Sequence, residues 1–329
     1  MNRLKLIAFA AAMLAAPASA VCQSAPPPAT AIQAMRLSLY AYDASLPLNA
    51  TLKPMDATAT HTRYLLSYDS VHDQRVPAIL SLPVGFVAPW PAVILLHGSG
   101  GNKDSSYIQW AAEMLNREGY AALSIDTQYC GDRRKPGVSG NVYMPDSYRM
   151  RDAWVQTVVD LRRAVDYLDS RSDIAPKHIG FLGFSQGAML GAVFGGVDRR
   201  VSCVCLAVPG GGFVNVVKHI DRYPLLKSYW PEKATPSVMR KVEMIAGVTD
   251  PIHYIGRIAP RPLMMIVANQ DQVIPPESSA ALVAAADSHG HADVERWQSG
   301  HILNPNALFD IRAFFEKQFG KAAPARRAD

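Results

Sequence analysis

Residues 181–190 read "FLGFSQGAML", and they place Ser185 between two glycines, after one apolar run and before another. The pattern G-x-S-x-G is typical of a nucleophilic serine at a sharp strand-to-helix turn, but by itself it is weak evidence. Ser185 could equally be an ordinary turn residue. The surrounding sequence has to decide between the two.

The flanking segments favour the nucleophile. "KHIGFLG" at 177–183 predicts a buried strand, and "QGAMLGAVF" at 186–194 predicts a helix. A serine between them is expected to have a strained backbone and to project its hydroxyl above the sheet. Small residues are needed where strand and helix approach, and Gly183, Gly187, Ala188 and Gly191 supply them.

A serine nucleophile needs a histidine base that is oriented by a carboxylate. With a serine at such a turn, the chain order is expected to be Ser, then Asp or Glu, then His, each after a strand. Asp271 in "VANQDQVIPP" follows the predicted strand "RPLMMIVA", and His301 in "QSGHILNP" follows "ADVERW". The competing candidates are Asp250 with His253, which precede a strand, and two histidines in a turn at the wrong end of the sheet, His289 and His291.

Acyl transfer also needs hydrogen-bond donors for the oxyanion. The backbone N–H of Gln186, at the start of the helix, is one candidate donor. The glycine-rich turn "HGSGG" at 97–101 offers the second through the backbone N–H of Ser99. His97, at the end of the preceding strand, is interpreted as bracing this loop rather than acting as a base.

Strand-like and helix-like runs alternate every 25–30 residues or so, a spacing typical of a mostly parallel sheet with helices on both faces. "HTRYLLSYDS" and "QRVPAILSLP" predict an edge hairpin, and helices are predicted near 105–118, 147–170, 276–287 and 305–318. We expect a linker and extension over 21–60, a catalytic domain over 61–320 and a disordered tail over 321–329. Residues 209–260 are predicted to form a short lid-like insertion over the active site.

The first twenty residues predict a signal peptide, with Arg3 and Lys5 before an apolar run and Ala18-Ser19-Ala20 as the cleavage site. We therefore expect export to the periplasm or medium, with no stable membrane insertion because the apolar run is too short. A membrane anchor or a lipidated Cys22 are the alternatives.

Removing Arg3 and Lys5 lowers the formal charge from +5 to +3, and the basic residues form no extended block, so no nucleic-acid partner is predicted. Four cysteines in 329 residues are not a disulfide scaffold. Cys203 and Cys205 are interpreted as buried packing residues, and no metal site or cofactor is assigned.

"PAVILLHGSGGNKDS", "DLRRAVDYLDSRSDIAPKHIGFLGFSQGAML", "DPIHYIGRIAPRPLMMIVANQDQVIPP" and "SGHIL" together resemble the α/β-hydrolase superfamily over roughly residues 75–320. The chain looks similar to the dienelactone-hydrolase and acetyl-xylan-esterase-like group, which also resembles prolyl-oligopeptidase catalytic domains. The resemblance implies Ser185 as nucleophile, Asp271 as acid, His301 as base, and Ser99 and Gln186 as oxyanion donors. Dienelactone hydrolases use a cysteine nucleophile, so the serine favours ester hydrolysis.

The sequence therefore predicts an exported serine hydrolase acting on small or saccharide-linked carboxylic esters. A prolyl-oligopeptidase-like peptidase and a non-catalytic binding protein with the same fold are the alternatives. Substrate contacts are expected from the insertion, through Phe213, Tyr223 and Trp230, although these aromatics could equally pack the insertion itself. Tyr129 and Arg133, after the neighbouring strand, are further candidates; Arg133 could instead form a structural ion pair. The sequence leaves the ester and the oligomeric state open.

Overall fold

The apolar run at 90–96 forms a central strand of a large mixed sheet. The computed structural model describes residues 29–138, 147–229, 233–288, 290 and 292–325. Within these residues the sheet has nine strands. In chain order they are β1 (Thr51–Ala57), β2 (His61–Asp69), β3 (Arg75–Pro83), β4 (Trp90–Leu96), β5 (Ala121–Ile125), β6 (Ile174–Phe184), β7 (Cys203–Ala207), β8 (Leu263–Ala268) and β9 (Ala292–Trp297).

The strand order across the sheet is β1-β2-β3-β5-β4-β6-β7-β8-β9. Six strands pair in parallel, in the sheet order β5, β4, β6, β7, β8 and β9. Strands β1, β2 and β3 are antiparallel to their neighbours. This confirms the predicted α/β fold. The predicted hairpin of β2 and β3 is present, but it does not form the edge of the sheet, because β1 pairs with the outer side of β2. Because parallel strands all have their carboxyl ends at the same end of the sheet, the loops after β4, β6, β8 and β9 lie together there.

Helices cover both faces of the sheet. They are α1 (Ala29–Ser38), α2 (Ser106–Arg117), α3 (Ser147–Asp169), α4 (Gln186–Val197), α5 (Phe213–Lys218), α6 (Pro224–Tyr229), α7 (Pro236–Lys241), α8 (Pro276–Asp287) and α9 (Ala307–Phe319). In the part of the chain that the structure describes, none of them combines the length and apolar character needed to cross a membrane.

Two apolar clusters lie on opposite faces of the sheet. The first, which we call the α3 cluster, includes buried residues of α3, α4 and α8; the second, the α9 cluster, includes those of α2 and α9. The helical periodicity predicted for 147–170 is confirmed, because every apolar residue of that stripe is buried in the α3 cluster: Met150, Trp154, Val158, Leu161, Val165 and Leu168.

The segments outside the central sheet are packed against it. The predicted extension contributes β1 to the sheet, and the buried Tyr40 ring contacts the Tyr254 ring of the insertion edge-on. The described parts of the insertion form α5, α6, α7 and several short helical turns. Residues 323–325, assigned from the sequence to the tail, pair with the segment before β4: Val87 N–H donates to Ala323 O at 3.1 Å and Ala325 N–H donates to Gly85 O at 2.8 Å.

Arg133 lies in the loop after β5, where it forms a buried ion pair. Its Nη1 donates to Asp160 Oδ2 of α3 at 2.5 Å, and both side chains are almost fully shielded from solvent. Gln156 Nε2 donates to the other oxygen of the same carboxylate at 2.7 Å. The guanidinium therefore ties the loop after β5 to α3, in agreement with the structural interpretation of this residue.

Replacing Arg133 should destabilise the protein far more than replacing an exposed arginine. Arg133→Leu leaves the Asp160 carboxylate buried without its counter-ion, which should lower the free energy of unfolding by about 3 kcal/mol. The control is Arg75→Leu, because Arg75 pairs with Asp69 at 2.5 Å but the side chains are 41% and 37% exposed. That change should cost less than about 1 kcal/mol. Urea unfolding measures both, and equal losses would contradict the assignment.

Candidate active site

Ser185 occupies the sharp turn between β6 and α4 with a strained backbone. Its φ is +54° and its ψ is −119°, a region that non-glycine residues rarely adopt. The turn is held on both sides, because Ser185 N–H donates to Ala207 O of β7 at 2.9 Å and Met189 N–H donates to Ser185 O at 3.0 Å. The strain expected from the sequence is present at this position.

Glycines let three backbone segments approach each other around this turn. A Cβ at Gly187 would lie 2.4 Å from Leu96 O of β4, and one at Gly183 would lie 2.4 Å from Gly187 O. Both distances are far below van der Waals contact, so a side chain at either position would push α4 away from the sheet. The close packing that the sequence predicted at these glycines is what presents Ser185 at the sheet edge.

His301 and Asp271 form a chain of hydrogen bonds with Ser185. His301 Nε2 lies 2.9 Å from Ser185 Oγ, and His301 Nδ1 lies 2.8 Å from Asp271 Oδ2. A carboxylate can only accept, so Nδ1–H donates to Asp271 and, in the neutral ring, Nε2 accepts from the serine hydroxyl. This arrangement can remove the hydroxyl proton as the oxygen attacks an electrophile.

The loops that carry Asp271 and His301 are bonded to each other. Asn269 N–H donates to Trp297 O at 2.9 Å, and Gln270 N–H donates to Ser299 O at 3.0 Å. The second oxygen of Asp271 accepts from the N–H groups of Val273 and Ile274, both at 2.8 Å. These bonds fix the direction of a carboxylate whose side chain is only 4% exposed.

The turn after β4 lies directly against Ser185. A Cβ at Gly98 would be 3.1 Å from Ser185 Cβ, so this glycine permits the approach. Ser99 and Gln186 both line the cavity beside Ser185, and the Ser99 hydroxyl donates to Gln186 Oε1. The structure therefore places both residues predicted to supply oxyanion donors in the cavity wall beside Ser185.

His97 braces this turn rather than facing the serine. Its Nδ1 lies 2.7 Å from Gly98 O, and its Nε2 accepts from Thr127 N–H at 3.1 Å. Burial lowers the pKa of the His97 imidazole. The ring thus links the loop after β4 to the loop after β5, in the bracing role expected from the sequence.

Asp250 and His253 form a packed loop corner. The Asp250 carboxylate accepts from the backbone N–H groups of Gly212, Phe213 and Ile252. Burial lowers the pKa of His253 to about 4 and raises the pKa of Asp250. His289 and His291, the two turn histidines that also competed for the role of base, lie outside the described residues.

A cavity of about 550 Å³ opens beside Ser185 and His301. Its walls come from the start of α2, the loops after β7 and β8, and the segment that follows His301. The side chains not anticipated from the sequence are Ser106, Tyr107, Trp110, Phe184, Met189, Val208, Leu226, Val273, Ile274, Ile302, Leu303, Asn304, Pro305, Ala307, Leu308 and Ile311. For those that follow His301, the only signal in the sequence is the apolar character of "HILNPNALFDI" at 301–311.

The predicted substrate-contact residues that the structure describes do not line this cavity. They are Tyr129, Arg133, Phe213 and Tyr223, and none is among the described lining residues. Phe213 is buried in the core with its ring edge-on to Trp154, and the Tyr223 hydroxyl donates to Glu277. Arg133 is occupied by its ion pair, and the Tyr129 ring faces Lys135. Trp230 lies outside the described residues. From the described part of the insertion, Leu226 alone reaches the cavity.

The two cysteines of β7 are buried in the α9 cluster as free thiols. Burial raises the pKa of Cys203 to about 12 and also raises that of Cys205. Both are therefore inert packing residues, in agreement with the sequence analysis. The described residues contain no group of three or more His, Cys, Asp or Glu side chains that could hold a metal ion.

Comparison with known proteins places the chain in a family. Residues 40–291, more than three quarters of the chain, match the family model for acetyl xylan esterase (AXE1). The Bacillus subtilis (strain 168) protein YtaP is 27% identical over 262 residues, covering 74% of this chain and 84% of its own.

Two solved structures share the fold. The acetyl xylan esterase from Paenibacillus sp. R4 superposes with a TM-score of 0.68 at 21% identity, and acetyl xylan esterase 1 from Thermoanaerobacterium sp. JW/SL YS485 with 0.70 at 19%. Each alignment covers 88% of this chain and 93% of the other. The chain is a carboxylic ester hydrolase that belongs to the acetyl xylan esterase family, within the serine esterases of the α/β-hydrolase fold.

Proposed function

We propose that this protein is an exported serine esterase in which Ser185, His301 and Asp271 act as a catalytic triad. The observation that carries the proposal is the continuous hydrogen-bond chain from Ser185 Oγ through the His301 ring to Asp271, with distances of 2.9 and 2.8 Å. Ser185 and His301 line a cavity that is large enough for an ester substrate.

In the proposed mechanism Ser185 Oγ attacks the acyl carbon while His301 Nε2 takes the hydroxyl proton. Asp271 holds the imidazole in the required tautomer and stabilises its protonated form. His301 then protonates the departing alcohol, which leaves an acyl-enzyme on Ser185. Water then attacks the acyl carbon as His301 takes its proton. That proton passes to Ser185 Oγ as the acyl–oxygen bond breaks, which releases the acid and the free serine.

Charge that develops on the carbonyl oxygen needs nearby donors. The backbone N–H groups of Ser99 and Gln186 are proposed for this role, supported by the position of both residues in the cavity wall beside Ser185. Gln186 is the first residue of α4, where the helix dipole favours negative charge. The Ser99 hydroxyl donates to Gln186 Oε1, so the two residues are in contact.

Removing the proposed nucleophile or base should abolish turnover of p-nitrophenyl acetate. Ser185→Ala and His301→Gln should each lower kcat by about 10⁶-fold, because the triad acts as one unit. His253→Gln is the matched control and should retain activity, since His253 belongs to the packed corner beside Asp250.

A fluorophosphonate probe gives a second readout for the same variants. The unmodified protein should be labelled and Ser185→Ala should not, because the probe reacts only with an activated serine. No label on the unmodified protein would favour a non-catalytic binding protein. Full activity of His301→Gln would contradict the proposed base.

The oxyanion proposal distinguishes the backbone of Ser99 from its hydroxyl. Ser99→Ala keeps the backbone N–H and should leave kcat for p-nitrophenyl acetate within a few-fold of the unmodified value. If the hydroxyl were the donor, the same change should cost about 10²-fold or more. Steady-state kinetics at saturating substrate measure the difference, and a loss of that size would contradict the backbone assignment.

Export is proposed from the sequence of residues 1–20, which lie outside the described residues. Expressed in a bacterial host, the protein should leave the cytoplasm and begin at Val21, as found by N-terminal sequencing and intact mass. Ala18→Arg should block cleavage because the site requires small residues, while Ala25→Arg, beyond the site, should not. A cytoplasmic protein that retains residues 1–20 would contradict export.

A further inference from the structure

We propose that the cavity beside Ser185 accepts a hydrocarbon acyl group longer than acetyl, carried on an apolar alcohol, rather than an acetyl group on a sugar. The inference rests on the proposed function, since it concerns the substrate of the same serine. It follows from what the cavity walls contain, from the size of the cavity and from the surface onto which it opens.

The cavity lies at the carboxyl ends of the strands and has one apolar wall from each face of the sheet. The wall on one side belongs to or packs against the α3 cluster and consists of Met189, Leu226, Val273 and Ile274. The opposite wall belongs to or packs against the α9 cluster and consists of Tyr107, Phe184, Leu303, Leu308 and Ile311. Ser185 lies between them, so both parts of a bound ester would contact hydrocarbon.

Apart from Ser185 and His301, the polar side chains among the described lining residues are Ser99, Ser106, Tyr107, Gln186 and Asn304, and the others are mainly hydrocarbon. Among the described lining residues there is no Asp, Glu, Lys or Arg. The Ser99 hydroxyl donates to Gln186, and the Tyr107 oxygen accepts from Gly98 N–H at 3.0 Å. A buried sugar ring brings several hydroxyl groups, each of which loses free energy if it exchanges water for hydrocarbon. Hydrocarbon makes no such demand.

The size of the cavity also favours a longer acyl group. Its volume of about 550 Å³ lies within the range of sites that enclose whole small ligands. An acetyl group would leave most of that space and its apolar walls in contact with water. Each further methylene that replaces this water should strengthen binding about fourfold, the factor that corresponds to about 0.8 kcal/mol.

The apolar surface continues outside the cavity. Trp110, Pro305 and Leu308 line both the cavity and a neighbouring open groove of about 460 Å³. The groove also contains the apolar Met114 and Phe309 and the charged Glu113, Arg117, Glu118 and Arg312. At the cavity Ile302 is 91% exposed and Trp110 is 56% exposed, and Phe309 in the groove is 60% exposed. Exposed apolar side chains beside a cavity mark a binding surface, and here they give a hydrocarbon chain further contact at the cavity mouth, before the charged part of the groove.

The test is the rate of hydrolysis of p-nitrophenyl esters with a constant leaving group and an acyl chain of two, four, six and eight carbons. We expect kcat/KM to rise by about fourfold per methylene through the hexanoate, mainly through a lower KM. Xylose tetraacetate, assayed by acetate release, should be hydrolysed more slowly than hexyl acetate, whose alcohol is apolar and is likewise a poor leaving group. A profile that is flat or falls from acetate, or faster hydrolysis of the sugar acetate, would overturn the inference.

A matched pair of variants ties the profile to the wall. Leu303→Gln places an amide in the α9-cluster wall and should lower the ratio of kcat/KM for hexanoate over acetate by about tenfold. Leu65→Gln makes the same change on β2, at a leucine that is 44% exposed and is not among the described cavity residues. The ratio should not change in that control. Equal ratios in both variants would overturn the assignment of the wall.

The outcomes separate this inference from the proposed function. Hydrolysis of acetate without a preference for longer chains overturns the inference and leaves the triad intact. The absence of both ester turnover and fluorophosphonate labelling overturns the triad and, with it, the inference. Rising kcat/KM with chain length, lost in Leu303→Gln alone, supports both.

Discussion

The backbone of Ser185, held at a φ of +54°, is the constraint on which the site depends. The strain is tolerated because the surrounding strands and helix leave the turn no other path. Gly183 and Gly187 allow α4 to approach β4 and β6 more closely than any side chain would permit. A hydroxyl is thereby presented at the carboxyl end of β6, beside the buried central strands β4 and β7, and the other residues of the site lie around it.

The parallel arrangement of β4, β6, β8 and β9 explains why residues far apart in sequence meet at this serine. Each of these strands ends at the same edge, so the loops that follow them carry the glycine-rich turn, Ser185, Asp271 and His301 to one place. Backbone hydrogen bonds between the loops after β8 and β9 then fix the carboxylate and the imidazole relative to each other. A polar residue therefore belongs to the site because it follows the carboxyl end of one of these strands, and not because it is near Ser185 in the sequence.

The sheet also separates the two apolar clusters, and this has a consequence for the substrate. A cavity at the carboxyl ends of the strands takes one wall from each cluster, so apolar side chains form most of its described lining. The described part of the insertion contributes only Leu226 to this lining, because its aromatic Phe213 packs into the core against Trp154. The segment after His301 forms much of the opposite wall. The same segment therefore carries the histidine and shapes the space beside it.

The sequence by itself determined the fold class, the turn at Ser185, and the candidates Asp271 and His301, because these depend on local signals: buried strand runs, glycines and strand-end positions. It also indicated that His97, Asp250 and His253 were structural, since their positions relative to the strands differed from those of the candidates. The walls of the cavity were decided only by the tertiary structure. Which of many apolar side chains faces a cavity depends on helix orientation across a sheet, and periodicity cannot distinguish a residue that packs the core from one that lines a pocket. Arg133 and Tyr223 illustrate the same limit, because their partners Asp160 and Glu277 lie 27 and 54 residues away along the chain.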